Sequence, residues 1–226
     1  MGEGWVNLSQ PLFNGMPRAA AHGDVRIWVD ERHMQTRAGP AVARITHLEM
    51  AAHVGTHVDA AIHFIPGGRT IDQYPAETFT GRGVVLDVRR EGASPLGVDE
   101  LRESDPAIEP DDIVLLWFGY AERFREPSYH EHPYLATDAA EWLVERGVRM
   151  LGVDTVTPDM PGARRPPDFD FPVHTRLLGR DILIIENLGP GLATLAGRRV
   201  EVMAVPFAIE DGDASPVVPL ARPRDS

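Results

Sequence analysis

No cysteine occurs in the 226 residues. Disulfide frameworks, thiolate nucleophiles, Cys-ligated zinc and iron–sulfur clusters are therefore excluded together. Positive charge is also short, since 22 Lys+Arg stand against 34 Asp+Glu, a net charge of −12 at pH 7. Nucleic acids and anionic membranes are bound through basic faces, so neither is an expected partner. Long apolar runs are missing. The longest, such as Ile113 to Phe118, are strand-sized, far below the roughly 20 residues of a membrane span. The opening stretch Met1-Gly-Glu-Gly-Trp-Val-Asn-Leu-Ser lacks the basic start and apolar stretch of a signal peptide, and a cytoplasmic protein is expected.

What is present suits one domain over 1–226, with 43% hydrophobic residues to build a core. Gly and Pro are spread as turn punctuation, with loops expected at Gly15–Pro17, Pro66–Gly68 and Pro158–Pro167. Compact apolar runs predict strands at Val84–Val88, Ile113–Phe118, Met150–Val153, Ile182–Ile185 and Val200–Pro206. A helix is predicted over Thr137–Arg146, with Thr137 as N-cap and Gly147 as the stop, and a shorter one over Val98–Glu103. Pro75–Phe79 reads as a turn. Strands outnumber helices without strict alternation, so the expected fold is mixed α/β with a dominant central sheet. Trp28, Trp117, Phe118 and Tyr120 are assigned to the core.

The segment His53-Val-Gly-Thr-His57-Val-Asp59-Ala-Ala-Ile-His63-Phe64 carries the chemistry. It places three of the nine His and one Asp within eleven residues. Neutral imidazoles with a carboxylate are the donor set of Zn, Mn or Fe. Gly55 and Thr56 allow a turn that brings His53 and His57 together, and Asp59 follows at a spacing of two. His63 is free to ligate or to act as a base. The pattern is not the zincin helix, because Val54 stands where the general-base Glu belongs. Downstream, Glu186 closes an apolar strand, a costly position for a carboxylate unless a cation meets it. Together with His174 it would complete a set of five ligands and one free His. That set serves either one metal or two bridged by a carboxylate. Asp154 and Asp159 either line this site or cap a turn. His22, His33, His47, His130 and His132 are given structural roles.

These motifs resemble the cyclase family of metal-dependent hydrolases, which includes bacterial kynurenine formamidases, isatin hydrolases and some dienelactone hydrolases. The likeness runs over nearly the whole chain, from Asn7-Leu8-Ser9 and Gly15-Met16-Pro17 through Gly152-Val153-Asp154 and Glu186-Asn187-Leu188 to Val205–Val217. It implies a swivelling β/β/α domain that assembles as a homodimer or homotetramer and acts on a small molecule. By the same resemblance, His53, His57 and Asp59 hold a first divalent ion, Zn or Mn. Asp59 and Glu186 bridge to a second, which His174 also binds, and His63 is the general acid/base. The implied reaction is hydrolysis of an amide, lactam or lactone bond. A lyase or ring-closing enzyme on the same site, and a silent metal-binding relative, are the alternatives. Two positions depart from the family pattern. Ala61 replaces the usual Pro, and Arg18–Asp24 lacks the aromatic residue that kynurenine formamidases carry after Gly-Met-Pro.

Overall fold

The computed structural model describes residues 4–224, so the start of the opening stretch, Met1–Glu3, and the last two residues of the 1–226 span lie outside it. The chain runs β1 (Val6–Asn7), β2 (Arg26–Thr36), β3 (Gly39–Glu49), β4 (His57–Asp59), β5 (Thr80–Asp87) and β6 (Pro95–Leu96). It continues with α1 (Val98–Arg102), β7 (Ile113–Trp117), β8 (Tyr134–Leu135), α2 (Thr137–Arg146) and β9 (Met150–Val153). The last elements are α3 (Pro172–Leu178), β10 (Leu183–Glu186), β11 (Arg198–Met203), β12 (Ala214–Pro216) and β13 (Leu220–Pro223).

Nine strands form one sheet in the order β1-β13-β11-β5-β7-β9-β10-β4-β12. Its centre, β5-β7-β9-β10, is parallel, and the remaining pairs are antiparallel. The apolar runs are central strands covered on both faces, which is why they do not alternate with polar residues. Along β7, Val114 and Leu116 join one core with Leu101, Leu143 and Leu177 of the three helices. Ile113 and Leu115 point to a second core with Leu8, Phe79 and Leu192. Gly152 on β9 lets these layers close, because a Cβ there would lie 2.6 Å from Leu115 Cδ2 and 3.0 Å from Leu188 Cδ1.

Mixed α/β with a dominant sheet is the observed class, and every strand predicted from an apolar run is present, Met150–Val153 with the predicted bounds and the others with shifted ends. The helix over Thr137–Arg146 also forms, but its N-cap is Ala136, whose side chain cannot accept a hydrogen bond. Thr137 is its first helical residue instead. Trp28 departs further from expectation. It lies on a long hairpin, β2-β3, that pairs only with itself, where it is 41% exposed and stacked on His47 at 4.8 Å. Trp117 is half-buried, while Phe118 and Tyr120 are core residues. Among the described residues, no helix is long and apolar enough to cross a membrane.

Candidate metal centre

The site forms where the antiparallel edge of the sheet meets α3. His57 and Asp59 are two apart on β4 and so share one face of the strand, while Val58 between them enters the core. Glu186, the last residue of β10, is the register partner of His57 and therefore stands beside it. Asn187 follows in the left-handed region at φ 57° and turns the chain away. His53 is returned to the cluster by the expected turn, in which Gly55 has φ 72°, a conformation that costs glycine little. His174 sits in the first turn of α3. Asp159 accepts hydrogen bonds from the N–H groups of Val173 and His174, and so anchors that turn from a distant loop.

Five of the six predicted residues, those expected as ligands, thus converge. His53 Nδ1 lies 2.8 Å from Asp59 Oδ1, and His57 Nε2 lies 3.3 Å from the same oxygen and 3.4 Å from Glu186 Oε2. His174 Nε2 is 3.6 Å from Asp59 Oδ2 and 3.3 Å from Glu186 Oε1. Despite this crowding, His57 Nε2 and both Asp59 oxygens are buried without an aligned hydrogen bond. Nor does any guanidinium lie within 4.0 Å of Asp59 or Glu186 among the described residues. Carboxylates placed this way need a cation, and lone pairs converging without hydrogen bonds are what a metal ion uses. The donors are nitrogen and oxygen only, which fits a borderline divalent ion.

Outer contacts fix the imidazoles for that task. Nδ1 of His57 faces Gly55 O at 2.8 Å, and Nδ1 of His174 faces Asp159 Oδ2 at 2.6 Å. Each partner accepts the Nδ1 proton, so that Nε2 is the nitrogen that would give up its proton and offer a lone pair to a cation. His53 Nε2 meets Asp213 Oδ2 at 2.9 Å in the same way. Burial opposes charge on His53, but Asp59 and Asp213 outweigh it and hold the imidazole up to about 9. Burial likewise opposes charge on His57 and His174, and their carboxylate neighbours raise both. Asp59 is driven well below the carboxylate range, its burial outweighed by His57, His174 and His53.

His63 is placed differently. Its ring lies 4.0 Å from that of His53, its Nδ1 is 3.5 Å from Asp213 Oδ2, and it is partly open to a cavity of about 530 Å³. Burial lowers its pKa, as do His53 and His174, against the pull of Asp59 and Asp213. Its nitrogens also lie close enough to Asp59 and His174, and to His53 and Asp213, to join a metal. The structure keeps both roles of His63 in reach.

Three more carboxylates stand around these residues, of which Asp213 alone carried no assignment from sequence. Asp213 precedes β12, which pairs with β4, and only that pairing brings it to His53. Asp159 proves to be the anchor of His174. Asp154 is the turn cap, accepting N–H groups of Phe118, Gly119, Tyr120 and Ala121. Burial pushes it up to about 6 against those four donors. His22, given a structural role from sequence, instead lines the cavity, with its ring 5.5 Å from that of His53. His130 and His132 line it as well.

A cysteine-free mixed α/β chain that gathers three imidazoles and two carboxylates beside a cavity has the donor set of the cyclase class of proteins. The chain belongs to the cyclase family: the family model described as Putative cyclase matches residues 6–160. Among curated proteins it is 30% identical to the kynurenine formamidase of Bacillus cereus over 222 residues, 97% of each chain. Among solved structures it is similar to isatin hydrolase A from Ralstonia solanacearum, with a TM-score of 0.81 and 26% identity over 97% of this chain and 92% of that one. Isatin hydrolase A from Labrenzia aggregata gives the same TM-score, 0.81, and the same identity, 26%, over 97% and 94% of the two chains.

Proposed function

We propose that the chain is a metal-dependent hydrolase that cleaves the C–N bond of an amide or lactam in a small cyclic or aromatic metabolite. The observation that carries this is the buried cluster in which His57 Nε2 and both Asp59 oxygens converge without hydrogen bonds. The family membership and the formamidase and isatin hydrolase relatives support the same reaction class. His53, His57, Asp59, His174 and Glu186 would hold the ion or ions, Zn or Mn, with Asp59 and Glu186 the carboxylates that would be shared if two were bound. A divalent ion there supplies Lewis acidity, acidifying water toward a pKa of about 7 and polarising the scissile carbonyl.

The chain's own residues do the rest. His63 is kept neutral by burial, and with its Nδ1 toward Asp213 its Nε2 is left to take a proton and return it to the leaving nitrogen. Phe64 and Phe171 wall the cavity with apolar rings and exclude water. The test is to strip metal from the purified protein, reload Zn or Mn, and assay N-formylkynurenine and isatin in water enriched in heavy oxygen. Metal-dependent turnover with label in the acid product supports hydrolysis. Tight metal binding without turnover of any amide or lactone would sink the reading.

The assembly proposed is a homodimer or homotetramer, supported by the β2-β3 hairpin. Its faces expose Trp28, Val29, Met34, Val42 and Leu48 at 41–51%. A self-paired arm with that much apolar surface is a liability in an isolated chain. Sedimentation equilibrium should return a multiple of 24.9 kDa. A monomer at micromolar concentration would remove the proposal.

A further inference from the structure

The cavity over the metal cluster contains a cation that the chemistry above leaves unused. Every fixed cation of this chain is an arginine, since its 22 basic residues include no lysine. Two of them, Arg18 and Arg165, line the cavity. Arg18 is taken by Asp24. Arg165 is not taken: among the described residues no carboxylate lies within the 4.0 Å of an ion pair, although its neighbour Arg164 is paired with Glu131 at 3.3 Å.

Arg165 is nevertheless held in place. Its Nε donates to Met160 O at 2.7 Å, and its guanidinium carbon stands 4.5 Å from the centre of the Phe171 ring and 5.3 Å from that of Phe169. One edge and one face of the guanidinium are thereby fixed, and the two terminal nitrogens remain without a protein acceptor among the described residues. Holding a half-buried guanidinium this way costs free energy unless something arrives to pair with it. A planar pair of N–H donors fits a carboxylate, which it binds through two parallel hydrogen bonds. Asp159 and Glu186 are near enough to act on the same charge, and their field disfavours a group carrying more than one negative charge.

We propose that Arg165 is a subsite for a substrate carboxylate, so that this enzyme takes an aromatic or cyclic amide bearing one acid group away from the scissile bond. The proposal rests on the hydrolase reading for the reaction and on Arg165 for the selectivity.

The test compares an N-formylaminobenzoate with its methyl ester on metal-loaded protein. It also compares calorimetric binding of the corresponding products, the aminobenzoate and its methyl ester. Wild type should prefer the acid by about 10–100-fold in kcat/KM and in product affinity, the range of one charge-assisted contact. In Arg165→Met the preference should collapse toward unity, and Arg165→Lys, which keeps charge without the fork, should retain part of it. An unchanged preference in Arg165→Met, or none in wild type, overturns the subsite, because the carboxylate then sits elsewhere, on the metal for example. Should Arg165→Met lose metal or fold, the Lys variant decides, and an undiminished preference there counts against the fork. Product binding that depends on Arg165, without hydrolysis of either formamide, would keep the subsite and discard the hydrolase reading.

Discussion

His57 and His63 are six residues apart and are proposed here to do different work, which substitution tests. His57 is buried with Nε2 fixed toward Asp59 and Glu186. His57→Ala should bind no metal when dialysed against Zn or Mn and assayed by elemental analysis. His63→Ala should keep metal and lose turnover by about 10²–10⁴-fold, the usual contribution of a general acid/base. Metal loss in that variant would make His63 a ligand. Asp159 touches no ligand lone pair, yet Asp159→Ala should weaken metal binding by about 10–100-fold, because His174 loses the acceptor that orients it. The raised pKa of His53, about 9, means the metal-free site carries a proton near neutrality. Uptake of metal at pH 7 should therefore release protons, read as a buffer-dependent heat of binding.

At the scale of elements, the turn between the first two ligand histidines can be tested on its own. Gly55 has a left-handed φ, and an added Cβ would stand 3.0 Å from Leu12 Cδ2 and 3.1 Å from Met16 Cε, both flexible tips. Backbone strain therefore dominates. Gly55→Ala should cost about 1–2 kcal/mol, lowering Tm by about 2–8 °C. The same elements tell what was legible in sequence. Val84–Val88 and Ile113–Phe118 announced themselves because central parallel strands are apolar on both faces. The hairpin of β2 and β3 did not, since strands mostly open to solvent mix Arg, Glu and His with apolar residues and lack a clean period. His53, His57 and His63 were legible because β4 and its flanking turns place them close in sequence. Asp213 and Arg165 were not, because a strand pairing and a loop path bring them to the site from far along the chain.

For the whole molecule, His132 contributes to acid stability from outside the ligand set. His132 is 1% exposed, and burial lowers its pKa from 6.5 to about 4. Its folded pKa lies below the unfolded one, so folding favours the neutral ring. That contribution is complete above about pH 6.5 and is lost as the pH falls toward 4, by up to about 3 kcal/mol. Urea unfolding of metal-free wild type and His132→Gln at pH 7 and pH 4.5 should show the gap between the two proteins narrowing in acid. An unchanged gap would mean His132 titrates normally.

The order of strands has a consequence for how the protein is made. β4, which carries His57 and Asp59, lies between β10 and β12, strands synthesised more than a hundred residues later. While the chain is still growing, its first three ligands have neither Glu186 beside them nor Asp213 behind His53. A metal ion meeting the nascent chain finds a loose fragment of the site, and the complete one exists only after synthesis is nearly finished. Completion of the proposed metal site is thus bound to the end of translation, and a chain cut short before β12 leaves Asp59 at an open edge.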